Sequence, residues 1–285
     1  MAALTPARLA RLAVLLVRCT HPSASFAITA GVALLGLSAG VGWRTLILVP
    51  AVLLGQFSLG WTNDYLDRDR DRLGMRTEKP IAAGLIDPVL VVIAAIAGTV
   101  AALLLTFPLG VLPLVVHAAG LLLGQVHNFG TRRFVISVVP FVFGFALLPI
   151  FVAAAASPPH LPARWLIVAA GLIGAGAHFS NALRDYESDL VVGMGGLPQA
   201  VGPRVSAILA GALMLAAAGT VALYGGGRVA LVSPTGALGV AAALLACGIA
   251  ATGLAGRRAL AYRLTLAAGL VAVVALLLGG SAGFR

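Results

Sequence analysis

Apolar residues run along this chain in blocks of about twenty, the length a helix needs to cross hydrocarbon. Short polar, glycine-rich or proline-rich breaks separate them. The pattern predicts nine spans: Ser23 to Gly40, Thr45 to Thr62, Pro88 to Phe107, Leu109 to His127, Phe134 to Ala154, Trp165 to Leu183, Val205 to Tyr224, Thr235 to Leu254 and Tyr262 to Leu278. Ahead of them, the segment with Arg8, Arg11 and Arg18 reads as an interfacial helix leading to His21-Pro22. Turns fall at Gly42-Trp43-Arg44, Pro108, Asn128 to Arg133, Ser157 to Pro162, Gly225-Gly226-Gly227 and Arg257-Arg258. Two connections are longer and polar, Asp64 to Gly84 and Arg184 to Arg204. The expected architecture is all-α: one polytopic domain over 1–285, nine transmembrane helices around a central cavity.

Composition agrees with that pattern. The 285 residues are 60% hydrophobic and 10% charged, with a mean hydropathy of +1.05, whereas about 25% of a soluble domain is charged. The net charge of +10 is not a nucleic-acid footprint, because the basic residues sit in the breaks between spans. It is an orientation signal. With the N-terminus in the cytoplasm, 15 of the 19 basic residues lie inside, and only Arg44, Arg164, Arg228 and Arg285 outside. This predicts a multi-pass cell-membrane protein with its C-terminus outside. The apolar run from Leu12 to Val17 is cut short by Arg18, too brief for a cleaved signal peptide. Cys19 and Cys247, far apart in apolar context, read as buried thiols. The 35 glycines suit close helix packing in lipid. Trp43, Trp61 and Trp165 fall at span ends, where indoles anchor at headgroups. No obligatory protein partner is visible; the bilayer is the partner the composition implies.

The candidate chemistry lies in the acids. All nine carboxylate side chains fall in two windows: Asp64, Asp67, Asp69, Asp71, Glu78 and Asp87, then Asp185, Glu187 and Asp189. In each window an Asn is followed at +4 and +8 by Asp: Asn63, Asp67, Asp71, with Asp64 added, and Asn181, Asp185, Asp189. On a helix these positions share one face. The two stripes end even-numbered spans four helices apart, which suggests a parallel internal duplication facing one cavity. Clustered carboxylates at a membrane surface suit Mg²⁺, which takes oxygen ligands and keeps room for water and substrate phosphates. Two facing stripes can hold a diphosphate through bridging metal, with Arg76, Lys79, Arg132, Arg133 and Arg184 on the same side to assist. A charged head on a bundle of apolar helices points to an isoprenyl diphosphate. Each basic residue is either a diphosphate contact or an orientation signal. Asn63 and Asn181 are either metal ligands or helix-end hydrogen-bonding groups. Asp69 points away from its stripe and is expected to pair with neighbouring arginines, while Glu78, Asp87 and Glu187 are left as ordinary surface acids. His127 and His178, the latter on the second stripe's face, are expected to line the cavity; His117 reads as a packing residue. Arg18 and His21 are either interfacial anchors or contacts for an acidic acceptor.

These residues resemble the UbiA-type intramembrane prenyltransferases. The family's first motif, N-D-x-x-D-x-x-x-D, is met by Asn63, Asp64, Asp67 and Asp71, and its basic-Pro-small sequel by Lys79 to Gly84. The second, D-x-x-x-D after Asn and Arg, is matched by Asn181, Arg184, Asp185 and Asp189. The resemblance implies a nine-helix fold and Mg²⁺-dependent transfer of a prenyl chain from its diphosphate to an acceptor, commonly aromatic. It implies that Asn63, Asp64, Asp67, Asp71, Asn181, Asp185 and Asp189 hold metal, with Asp67, Asp71, Asp185 and Asp189 as the catalytic carboxylates. Two departures touch the acceptor: His127 stands where a Tyr is common, with Arg132 or Arg133 for a Lys, and Gly193 to Pro198 replaces a G-K-x-T-L element. Rival readings are a terpene cyclase, which quenches the cation within its own chain, and a cation transporter. A CDP-alcohol phosphotransferase would need a D-G-x-x-A-R element, absent here.

Overall fold

The computed structural model describes residues 5–191, 193–224, 234–278 and 281–284. Its helices are α1 (Pro6–Arg18), α2 (Pro22–Ser38), α3 (Thr45–Leu73), α4 (Pro88–Thr106), α5 (Val111–Phe129), α6 (Val139–Ala154), α7 (Arg164–Arg184), α8 (Tyr186–Val191), α9 (Leu197–Tyr224), α10 (Pro234–Leu254) and α11 (Arg258–Leu278). Among the described residues eight helices are each long and apolar enough to cross a membrane. The ninth expected span is α2, only 17 residues long, which meets α1 at a 79° bend and completes a span only if the pair is counted together. The Gly225-Gly226-Gly227 turn, Arg228 and the C-terminal Arg285 lie outside the described residues.

Local chemistry sets the helix starts. Pro22 and Pro88 occupy first-turn positions, where a missing N–H costs nothing. Asp87 caps α4, its carboxylate accepting from the Val89 N–H at 2.8 Å. The α1–α2 elbow lies tight on α3, because a Cβ at Gly60 would come within 2.6 Å of the Thr20 backbone. Beside it the Trp61 indole N–H donates to the Leu16 carbonyl at 2.8 Å. Trp61 is therefore buried, a tie between helices rather than the headgroup anchor expected of it. Cys19 is buried, whereas Cys247 is exposed on α10, the opposite of its expected burial.

Neighbour packing runs α2–α3, α3–α5, α5–α6, α6–α7 and α7–α11, and α11 returns to α2, closing a ring; α9 packs on α7 and α11, and α4 and α10 brace α3 and α9 from outside. Ser58 strengthens the first brace by donating to the Ala95 carbonyl at 2.8 Å. Inside the ring lies a cavity of about 430 Å³, to which α4 and α10 contribute no lining residue among those described. The end away from the acids is filled by Leu35, Leu48, Val116, Phe151, Leu166 and Leu276. Beyond it Arg44 ties the start of α3 to the end of α6 by donating to the carbonyls of Ala155 and Ala156 at 3.1 and 3.3 Å.

Candidate active site

The first acid motif is not in a polar connection. α3 continues unbroken to Leu73, so Asn63, Asp64, Asp67 and Asp71 occupy its last three turns. At about 100° per residue, Asn63 and Asp67 share one direction and Asp64 and Asp71 another, about 70° round. The first pair lines the cavity. The second is turned toward the 74–87 loop and almost fully buried, Asp64 at 1% and Asp71 at 4% exposure. That loop is seated by Ile81 in a cluster with Leu15, Trp61 and Val91, and by Arg18, which donates to the Glu78 carbonyl at 2.9 Å.

The second motif departs from expectation in another way. α7 ends at Arg184, Asp185 is its non-helical cap (φ −101°, ψ 8°), and Asp189 sits on the separate α8. Asn181, Asp185 and Asp189 therefore do not form one continuous helical stripe. They nonetheless line the same hollow as Asn63 and Asp67.

Basic side chains join the two halves. Arg76 lies 3.3 Å from Asp71, 3.8 Å from Asp185 and 4.0 Å from Asp189, and also donates to the Ser188 hydroxyl. Lys79 pairs with Asp64 and lies 3.5 Å from Asp71. Asp67 receives both Arg70 and Arg132, the latter at 2.8 and 2.5 Å to its two oxygens. Arg184 grips Asp185 through Nε at 3.3 Å and Nη2 at 2.8 Å, and rests on the Tyr262 ring, 4.5 Å from its centroid. Arg133, one residue from Arg132, is exposed and outside the cavity. Asp69, 69% exposed, pairs with Arg68 and Arg72 as expected, and Glu187 with Arg258.

Polar groups not assigned from the sequence complete the site. The His21 Nε2 lies 3.0 Å from Asn63 Oδ1, and the Asn63 amide donates to Asn128 at 3.4 Å. Asn63 is thus a hydrogen-bonding hub as well as a candidate ligand. Gln199 donates to Asp189 at 3.1 Å. The clue to Asn128 was its place beside His127, a residue already singled out. His127 and His178 both line the cavity, and so does His117, expected only to pack; its Nδ1 lies 2.7 Å from the Thr106 hydroxyl.

The two carboxylates of the second half titrate apart. Burial alone would raise Asp185, but the guanidinium of Arg184 outweighs it and holds the carboxyl below its ordinary range. Burial and the charge of Asp185 push Asp189 up to about 6. Burial lowers Arg132.

The residues fit a hard divalent cation. Oδ2 of Asp64 and of Asp71 are buried without a hydrogen-bond partner among the described residues; the Lys79 ammonium lies 3.5 Å from the Asp71 oxygen, and that of Asp64 is costly unless something neutralises it. Among the described residues no three acidic, imidazole or thiol groups form a closed metal cage. An open set of one or two carboxylates is what Mg²⁺ uses when a substrate supplies the remaining oxygens.

Fold and site together define a polytopic membrane protein whose apolar chamber opens through a mouth of interleaved acids and bases. Residues 24–257 match the UbiA prenyltransferase family, and the chain belongs to that family. A 4-hydroxybenzoate octaprenyltransferase of Janthinobacterium is 32% identical over 135 residues, 46% of this chain and 47% of the relative. One of Paraburkholderia phytofirmans is 30% identical over 194 residues, 65% and 64% of the two chains. The chain spans about half the length of the first of these relatives. The fold is that of a UbiA homolog from Aeropyrum pernix (TM-score 0.71, 19% identity, 88% of this chain and 96% of that one). A UbiA homolog from Archaeoglobus fulgidus bound to GPP and Mg²⁺ is also similar (0.67, 17%, 91% and 99%).

Proposed function

We propose that this protein is a Mg²⁺-dependent prenyltransferase moving an isoprenyl chain from its diphosphate to an aromatic or similarly electron-rich acceptor. The observation that carries this reading is Arg76, which reaches from the first acid motif to the second across the polar mouth of a chamber closed at its other end. The solved relative bound to GPP and Mg²⁺ supports the donor and the metal. The curated relatives' names support an aromatic acceptor.

Arg76, Lys79, Arg132 and Arg184 would hold the diphosphate oxygens. Asp67, Asp71, Asp185 and Asp189, with Asp64, would hold Mg²⁺, which when bound neutralises charge growing on the leaving oxygen. The C1–O bond breaks with its electron pair going to the diphosphate, leaving an allylic cation shielded from water by the apolar wall. A carbon of the acceptor ring supplies the pair for the new C–C bond, and its proton passes to the released diphosphate. The acidic mouth is assigned to the cytoplasm on the distribution of basic residues, and labelling of single cysteines in intact cells tests that side. The apolar far end, which carries none of the acids, argues against an ion path.

Purified protein with geranyl diphosphate, Mg²⁺ and 4-hydroxybenzoate should yield a prenylated ring. Product from the diphosphate alone would turn the assignment to a cyclase. Flux of cations in proteoliposomes without consumption of diphosphate would overturn both.

A further inference from the structure

Just beneath the mouth, four rings close around one part of the chamber wall. The Phe141 centroid lies 4.9 Å from that of His127 and 4.8 Å from that of His178, and is stacked on Phe145 at 6.5 Å and 16°. The two imidazoles meet edge to face at 5.8 Å and 90°. All four rings line the cavity. Their depth follows from the helices that carry them. His178 stands about one turn before Asn181 and two before Asp185 on α7. His127 adjoins Asn128, which bonds to Asn63. The rings therefore lie at the level of the first carbons of a chain whose diphosphate is held at the mouth.

They are also fixed. His178 Nε2 lies 3.0 Å from the buried Ser137 hydroxyl, whose oxygen also accepts from the Leu197 N–H at 3.0 Å. α6 is pressed against α7 at Gly174, where a Cβ would strike the Phe141 carbonyl oxygen and come within 2.8 Å of the Phe145 Cβ. An apolar tail needs no such order, since branched aliphatic side chains would enclose it equally well. Aromatic rings held in one arrangement along a largely apolar wall serve a positive charge, which a ring face attracts through its quadrupole.

We propose that Phe141, framed by His127 and His178, is the catalytic wall that faces the allylic cation between departure of the diphosphate and attack by the acceptor. The proposal rests on the prenyl-transfer reading above. The group acts on the cation alone: no bond to it forms or breaks, and no proton moves to it.

The test uses the full chain with dimethylallyl, geranyl and farnesyl diphosphates, Mg²⁺ and 4-hydroxybenzoate. Phe141→Leu should lower kcat by about tenfold or more. Its KM for the prenyl diphosphate and its affinity for an unreactive thiolo analogue should stay unchanged, and Phe141→Trp should retain most of the activity. A Phe141→Leu variant with wild-type kcat, or one whose whole loss lies in KM, would overturn the proposal. Should that variant fail to fold, progressive fluorination of the Phe141 ring keeps its shape while draining its π face. A stepwise fall in kcat supports the wall, and a flat series sinks it. Wild-type protein that consumes none of the three diphosphates would sink the transferase reading itself, and this proposal with it.

Discussion

The two acid motifs look alike in sequence and are built differently. The first rides on an unbroken helix, with Asp64 and Asp71 buried behind the 74–87 loop and that loop fastened to α1. The second straddles a joint, with Asp185 capping α7 and Asp189 on the short α8. A buried, doubly fastened half is a rigid reference. A half at a helix joint can adjust as a headgroup enters, and it carries the carboxylates with opposed titration. Equivalent spacing therefore does not mean equivalent duty.

Substitutions should separate the halves. The largest loss is expected from Asp64→Ala and Asp67→Ala, each lowering kcat by about 10³-fold. Asp64→Ala should also lower the melting temperature, because it leaves the half-buried Lys79 without its nearest partner, a cost of about 3 kcal/mol. Unchanged stability in that variant would deny the first half its rigid role. Next comes Arg76→Met, which removes the link between halves and should reduce kcat/KM for the diphosphate about 10²-fold with little change in melting temperature.

A smaller effect is expected from pH. Asp189 titrates near 6 instead of 3.8, so over that interval it is protonated in the folded chain and ionised in the unfolded one. Its protonation favours the fold, and that contribution is lost as pH rises through about 6. Cation binding runs the other way, so Mg²⁺ affinity measured by titration should weaken as pH falls through 6. In Asp189→Asn that dependence should flatten, with affinity at neutral pH about tenfold lower. The depressed Asp185 should contribute nothing in this interval. Asp69→Asn, at an exposed position, should alter activity less than about twofold; a larger change would mean the outward face of α3 takes part.

Much of this was legible in the chain because the membrane leaves few choices. Apolar blocks of spanning length must be helices, and acids excluded from every block must gather where they are useful. What was missed depends on tertiary contact. The polar tail of α3 reads as a connection because its apolar run ends at Thr62, although its Asn and Asp residues already stand at helical spacing, and the 74–87 loop packs over its buried carboxylates. The break at Asp185, whose carboxylate takes the fork of Arg184, leaves no mark in the regular Asn-Asp-Asp spacing. Arg132 and Arg133 are adjacent and chemically identical, yet a single-turn 3₁₀ helix sends one inward and leaves the other exposed. His21 enters the site because its left-handed backbone (φ 53°) turns α2 sharply from α1, which the neighbouring proline alone did not reveal.

The buried cluster of Leu35, Leu48, Val116, Phe151, Leu166 and Leu276 at the end away from the acids gives the chamber an apolar floor. A tail measured from the headgroup end has a greatest straight length. Anything longer must bend sideways between helices into lipid, so the floor is a molecular ruler, and trimming its leucines one by one should lengthen the tails that fit.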